Sequence, residues 1–214
     1  MKRAVKSADL EAIGSGETRL IRVKPAAKVL SLADEDGTPL YKSGCPSGGT
    51  VDVLIEPYEL PPMLVIFGDT PIATALAAHA SLAGYRLALP EGTSEEHGAT
   101  RFSGTDTSAL SLGARDFVVV ASQGVGDLAS LRAALESPAA RVSMVASRRK
   151  ADTLVAKLAD EGMSAEASGR LKAPAGLDIH GIDPQEIAIS ILAEIVEWRS
   201  TDRKTVRTKH EERA

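Results

Sequence analysis

The residues best able to do chemistry fall in three short segments. Gly68-Asp69-Thr70-Pro71 follows a run of five apolar residues and precedes a helical pattern. Free amides at such a helix start are where a Rossmann domain places phosphate. A dinucleotide fingerprint would read G-x-G-x-x-G, but Thr70 stands at the second glycine position and Ala73 at the third. A side chain at 70 obstructs close approach of a pyrophosphate, and Pro71 removes a donor, although Asp69 and Thr70 are both good N-caps. The acidic residue that would hold a ribose is expected about twenty residues on, where only Glu91 follows Leu89 and Pro90. Two readings stay open: a nicotinamide-binding turn, or a Rossmann scaffold with a modified loop.

The second segment holds the one cysteine, Cys45, in Gly44-Cys45-Pro46-Ser47-Gly48-Gly49. A lone cysteine is usually a small buried apolar residue, but a loop of backbone amides can expose a thiol and lower its pKa. The third is Ser147-Arg148-Arg149-Lys150, between a strand and a helix. Three cations there oppose the helix dipole, so the turn is either a solvated basic face or an anion site built from forked guanidinium groups and helix amides. His79, His97, His180 and His210 are scattered, and neither H-x-x-x-H nor C-x-x-C occurs. A dedicated zinc site is therefore not expected, and neither a G-x-S-x-G elbow nor a P-loop is present.

These segments need elements to hold them. Thr18–Lys24 alternates polar and apolar residues, as does Thr50–Ile55, with Val51, Val53 and Ile55 on one face. Both read as antiparallel strands, separated by an acidic turn at Asp34–Gly37 and the Gly44–Gly49 loop. Glu56–Pro62 (EPYELPP) ends this pattern as a linker. Beyond it, apolar strands at Met63–Phe67, Tyr85–Leu89, Phe117–Ala121 and Arg141–Ala146 alternate with helices: one from the Gly68–Pro71 loop to about Ala83, then Asp127–Glu136 and Arg149–Glu161. That alternation gives the fold class: an α/β, Rossmann-like parallel sheet over 63–199 behind a small β-rich domain over 1–60. A last helix has Asp183 as N-cap, Pro184 at its first position and Glu186 at capping-box spacing. Its apolar stripe runs through Ile187, Ile191, Leu192, Ile195 and Val196. The charged tail 200–214 is expected to be frayed or disordered.

Composition limits the class of function. Twenty-nine acidic against 25 basic residues give a net charge of −4, which argues against a general nucleic-acid binder. Hydrophobic residues at 43% and charged residues at 25% exclude wholesale disorder, while 3% aromatics leave the core to Ala, Val, Leu and Ile. Apolar runs of about five residues are too short to span a membrane. The basic start lacks the apolar stretch of a signal peptide, so a soluble cytoplasmic protein is expected.

Several segments together resemble the XdhC/CoxI family of molybdenum-hydroxylase accessory proteins. Residues 44–57 (GCPSGGTVDVLIEP) are similar to its C-x-x-G-G-x-V-x-V-x-x-E-P segment, Leu64–Gly68 to the start of its Rossmann domain, and Ser147–Lys150 to its G-S-R-R-K turn. Most specific is Arg170-Leu171-Lys172-Ala173-Pro174-Ala175-Gly176-Leu177-Asp178-Ile179 followed by Pro184–Ile195, similar to L-x-A-P-I-G-L-D-I…P-E-E-I-A-x-S-I-x-A-E-I. The family's G-x-G-H is here Gly68–Pro71, its H-D-H-like segment is Ser122–Asp127, and Ala146 replaces the glycine before S-R-R-K. The family's leading G-S-x-P-R…G-x-M segment has no match, so the first domain looks truncated, and the whole resembles a divergent CoxF-type branch.

The resemblance implies an accessory protein rather than a metabolic enzyme. Such a protein binds molybdenum cofactor, a pterin or its cytosine dinucleotide form, transiently. It presents the cofactor to a cysteine desulfurase for sulfuration and helps insert it into a xanthine dehydrogenase- or carbon monoxide dehydrogenase-type apoenzyme. A partner ATPase and a homodimer are further expected associations. Cofactor contacts are expected from Gly68, Asp69, Thr70 and Pro71 and from Ser147, Arg148, Arg149 and Lys150 at the phosphate end. Gly48, Gly49 and Asp178 join them by motif, and Cys45 sits near molybdenum as a transient metal ligand or sulfur-relay group. The expected location is the cleft between domains, outside the carboxyl ends of the strands. Two alternatives remain at this point: a nicotinamide-dependent oxidoreductase and a cofactor-free adaptor that docks a partner ATPase or the apoenzyme.

Overall fold

The computed structural model describes residues 2–15, 18–44, 49–58, 60–93 and 97–211. They form two compact units, Met1–Leu60 and Pro61–Ala214. In the first, α1 (Lys2–Ser15) covers a three-stranded sheet of β1 (Arg19–Pro25), β2 (Leu40–Ser43) and β3 (Val51–Ile55). The expected antiparallel pair is present as β1–β3, with Leu20 opposite Leu54. The sequence pattern missed α1, and it missed β2, which pairs with β1 in parallel. β2 is four residues long and its mixed burial carries no period-two signal. Ile21, Val23 and Ile55 are buried against Ala8 and Ala12, one helical turn apart on α1. On β1, Arg22 binds Asp52 at 2.7 Å and Asp34 and Asp36 at 2.8 and 2.9 Å, so the acidic turn is tied to the sheet.

The second unit runs β4 (Met63–Phe67), α2 (Pro71–Leu82), β5 (Arg86–Pro90), β6 (Thr100–Phe102), β7 (Phe117–Val120), α3 (Asp127–Glu136), β8 (Arg141–Met144), α4 (Arg148–Asp160), α5 (Ala165–Ser168), β9 (Leu171–Lys172) and α6 (Pro184–Glu211). Its six strands are all parallel, in the order β6-β5-β4-β7-β8-β9. The winding reverses between β4 and β7, as in a dinucleotide-binding sheet. Continuous apolar strands follow, because both faces are covered. Leu64, Ile66, Phe117 and Val119 pack with Ile72, Leu76, Ile191 and Ile195. Val65, Phe67, Val118, Val120, Val142 and Met144 pack with Leu131, Leu135 and Leu158.

Two details of α6 bear on the expectations. The Glu186 carboxylate accepts from the Ile182 and Asp183 amides at 3.0 and 3.3 Å, which is one half of a capping box. The helix then continues to Glu211 rather than fraying after Arg199. Charge density made the tail look disordered, but 185–214 contains no Gly or Pro and is rich in helix-forming Arg, Lys and Glu. Among the described residues no helix is long and apolar enough to cross a membrane.

Candidate functional site

The turn after β4 is closed rather than open. Gly68 has φ +119°, and a Cβ there would lie 2.7 Å from the Ala121 carbonyl carbon and 2.9 Å from Ser122 Cα, so the two strand ends at the winding reversal touch backbone to backbone. Thr70 caps α2 by accepting from the Ala73 amide at 3.2 Å, and its hydroxyl donates to the Ala121 carbonyl at 2.9 Å. The second glycine of a dinucleotide turn would leave that space open. Here a cavity of only about 10 Å³ remains, lined by Gly68, Asp69, Ala73, Thr74, Ala77, Leu89 and Thr93. Glu91 is not among its walls.

A groove of about 930 Å³ opens farther along the sheet, beside β8 and β9. Its walls are the β8–α4 turn (145–148), the segment 172–181 and the α6 face that carries Ile187, Ser190, Glu194, Glu197 and Trp198. The 172–181 segment is stitched in place by its backbone: the Ala175 amide donates to Met144 O at 2.9 Å and the Leu177 amide to Ser190 O at 3.2 Å. Gly176 sits at φ +93° against α6, where a Cβ would collide with Ser190 Oγ and lie 3.1 Å from the Ile191 amide nitrogen. Glu194, only 2% exposed, would be costly to bury alone. One of its oxygens binds Lys172 Nζ and the other accepts from the Gly176 amide at 3.0 Å, while Lys172 also donates to Gly176 O at 2.6 Å. This closed ring fixes the groove floor.

The β8–α4 turn contributes Ser147 and Arg148 to the groove. Ser147 caps α4 through the Lys150 amide at 3.3 Å, and Arg148 and Arg149 are exposed. Lys150 points elsewhere. It forms an ion pair with the buried carboxylate of Asp127, at the wall of a second depression of about 590 Å³. Asp127 also receives the Ser122 hydroxyl and the Gly124 amide. Burial pushes its carboxyl up, but Lys150, then Ser122 and the Gly124 amide, outweigh that and hold it below the usual carboxylate range.

The structure therefore distributes the expected contacts. Ser147, Arg148 and Asp178 share the large groove, where Asp178 pairs with His180 at 3.1 Å and both are exposed. Gly68 and Asp69 line the small cavity, Thr70 and Pro71 start α2, and Lys150 belongs to the second depression. Cys45 and Gly48 lie outside the described residues, and Gly49 belongs to the first unit. Among the described residues no cluster of His, Cys, Asp and Glu could hold a metal ion. Sequence reasoning missed Lys172, Glu194 and Glu197. The available signal was a polar row, Ser190, Glu194 and Glu197, at helical spacing beside the apolar stripe of α6.

A family model for the XdhC Rossmann domain matches residues 64–195. An Escherichia coli K12 relative, uncharacterized protein YqeB, is 30% identical over 213 residues, 94% of this chain but only 37% of that protein. The chain thus spans little more than a third of that relative's length. A crystal structure described as a xanthine dehydrogenase from Bacillus halodurans matches with a TM-score of 0.59 at 18% identity, covering 95% of this chain and 68% of that one, a likeness of fold. The family match begins in β4 and ends in α6, taking in both the β8–α4 turn and the segment that walls the groove. On that span the chain belongs to the XdhC family.

Proposed function

We infer that this chain is an accessory protein in the maturation of a molybdenum hydroxylase of the xanthine dehydrogenase or carbon monoxide dehydrogenase type. It carries molybdenum cofactor as cargo, presents it for sulfuration by a cysteine desulfurase and passes it to the apoenzyme. The observation that carries this reading is the groove on α6. Residues 172–179 of the segment with the most specific family resemblance lie in one wall, and Ser147 and Arg148 of the S-R-R-K turn close one end. At about 930 Å³ it lies within the range of small-molecule sites. Arg148 supplies a cation for a phosphate, with Ser147 and the first amides of α4 beside it and the exposed Arg149 next in the chain. The Gly68–Pro71 turn contributes less to this reading, since its cavity is closed by Ala121. Cys45 remains the thiol for a transient molybdenum contact.

The test is to purify the chain from cells that make the cofactor. Molybdenum by mass spectrometry and oxidised pterin by fluorescence should co-elute with it, and the loaded protein should activate an apo-hydroxylase in a maturation assay. Client activation without any pterin on the protein would replace the carrier with a cofactor-free adaptor. Cys45→Ser should lower activation per folded molecule; unchanged activation removes the thiol from the mechanism.

A further inference from the structure

Six charged or titratable side chains line the groove: Arg148, Lys172, Asp178, His180, Glu194 and Glu197. Four contact each other: Lys172 and Glu194 form an ion pair, and His180 Nδ1 lies 3.1 Å from Asp178 Oδ1. Arg148 and Glu197 remain, and neither has an ion-pair or side-chain hydrogen-bond partner among the described residues. They stand at opposite ends. Arg148 opens α4 beyond Met144, the last residue of β8, at the carboxyl edge of the sheet. Glu197 precedes Trp198, whose ring stacks on Phe117, the first residue of β7, and lies under the guanidinium of Arg141, the first residue of β8. The length of β8 thus separates the two charges. The α6 face from Ile187 to Glu197 extends about 15 Å along the groove at 1.5 Å per residue.

A ligand complementary to both ends is elongated, anionic at one end and a hydrogen-bond donor at the other. A carboxylate accepts two parallel N–H donors best, one on each oxygen. A pterin offers that pair, N3–H and the 2-amino group, on the ring edge remote from the side chain that bears its phosphate. The mutually neutralised Lys172 and Glu194 suit an uncharged bicycle between the ends. We propose that Glu197 reads the 2-amino-4-oxopyrimidine edge of the pterin while Arg148 holds its phosphate, an assignment that rests on the carrier reading above. Glu197 is then the specificity residue of the groove.

Fluorescence titration of the full chain with three probes tests this: 6-hydroxymethylpterin phosphate, its dephosphorylated alcohol, and the corresponding lumazine phosphate, in which the 2-amino group is replaced by an oxo group. The wild-type chain should favour the first over each of the others by roughly tenfold or more, because a carboxylate left facing an oxo group is repelled. Glu197→Gln presents one donor and one acceptor, so the pterin-to-lumazine ratio should fall towards one while the phosphate-to-alcohol ratio and the melting temperature hold. Arg148→Ala should do the reverse, erasing the phosphate preference and sparing the pterin preference. If the wild type does not distinguish pterin from lumazine, or Glu197→Gln distinguishes them as well as the wild type, the assignment of Glu197 is overturned and the carrier reading stands. If none of the three probes binds the wild type, the assignment of Glu197 is overturned, and co-elution of molybdenum and pterin with the purified chain decides the carrier reading separately.

Discussion

Lys150→Met separates the cations of the S-R-R-K turn by what they do. Lys150 is the cation paired with Asp127, whose side chain is 6% exposed and whose remaining partners are the neutral Ser122 hydroxyl and Gly124 amide. Breaking a buried pair by removing one member costs about 3–5 kcal/mol. Lys150 is itself 41% exposed, so solvent already screens part of the interaction and about 2 kcal/mol is the expected loss at pH 7. In a domain of this size that lowers the melting temperature by roughly 4–8 °C.

The pH dependence has a definite sign. With its partners the Asp127 carboxyl lies below its usual range, so its contribution is present above the unfolded pKa of about 3.9 and is lost as pH falls through the folded value. Without Lys150, burial opposes only the two neutral hydrogen bonds, and the carboxyl takes a proton at higher pH. Acidifying from about pH 7 to pH 4.5 should then relieve the variant and narrow its gap to the wild type. Circular-dichroism melts at both pH values read this directly. A variant within about half a kcal/mol of wild type at pH 7 would show Lys150 to be an ordinary surface lysine. A gap that stays constant on acidification would refute the linkage argument.

Arg148→Ala with Arg149→Ala should melt within about half a kcal/mol of wild type, with any gain coming from relief of the α4 dipole, and should fail to activate the client enzyme; full activation would return both arginines to a solvated face. Millimolar NAD(H) or NADP(H) should leave the melting temperature almost unchanged, because Gly68 and Thr70 close on Ala121; a rise of several degrees would contradict that closure. Gly176→Ala should cost about 1–2 kcal/mol for its left-handed backbone and about 1–3 kcal/mol more for crowding α6. Urea titrations in a Ser190→Ala background should show a smaller cost, and an equal cost in both backgrounds would mean that Ser190 Oγ does not meet the added methyl.

The parts of this protein legible in sequence are those that depend on near neighbours in the chain. The five-residue apolar β4 and the Asp127–Glu136 bounds of α3 follow from periodicity, and the sequence offers Asp69 and Thr70 as helix caps, of which the structure uses Thr70. The family resemblance likewise marked 170–179 without saying what each residue does there. Arg170 proves to close the end of α3, donating to the carbonyls of Leu135, Ser137 and Ala139. Only the tertiary structure decided which charges are spent. Lys172 meets Glu194 across 22 positions and Asp127 meets Lys150 across 23, each through a crossover between strand and helix. No periodicity encodes such pairs, because a helix or strand fixes the direction of a side chain but not which distant element arrives opposite it. The same reason hid the groove. Its walls come from β8–α4, the 172–181 segment and α6, three stretches that become neighbours only when the apolar stripe of α6 settles on the sheet and removes its surface from water.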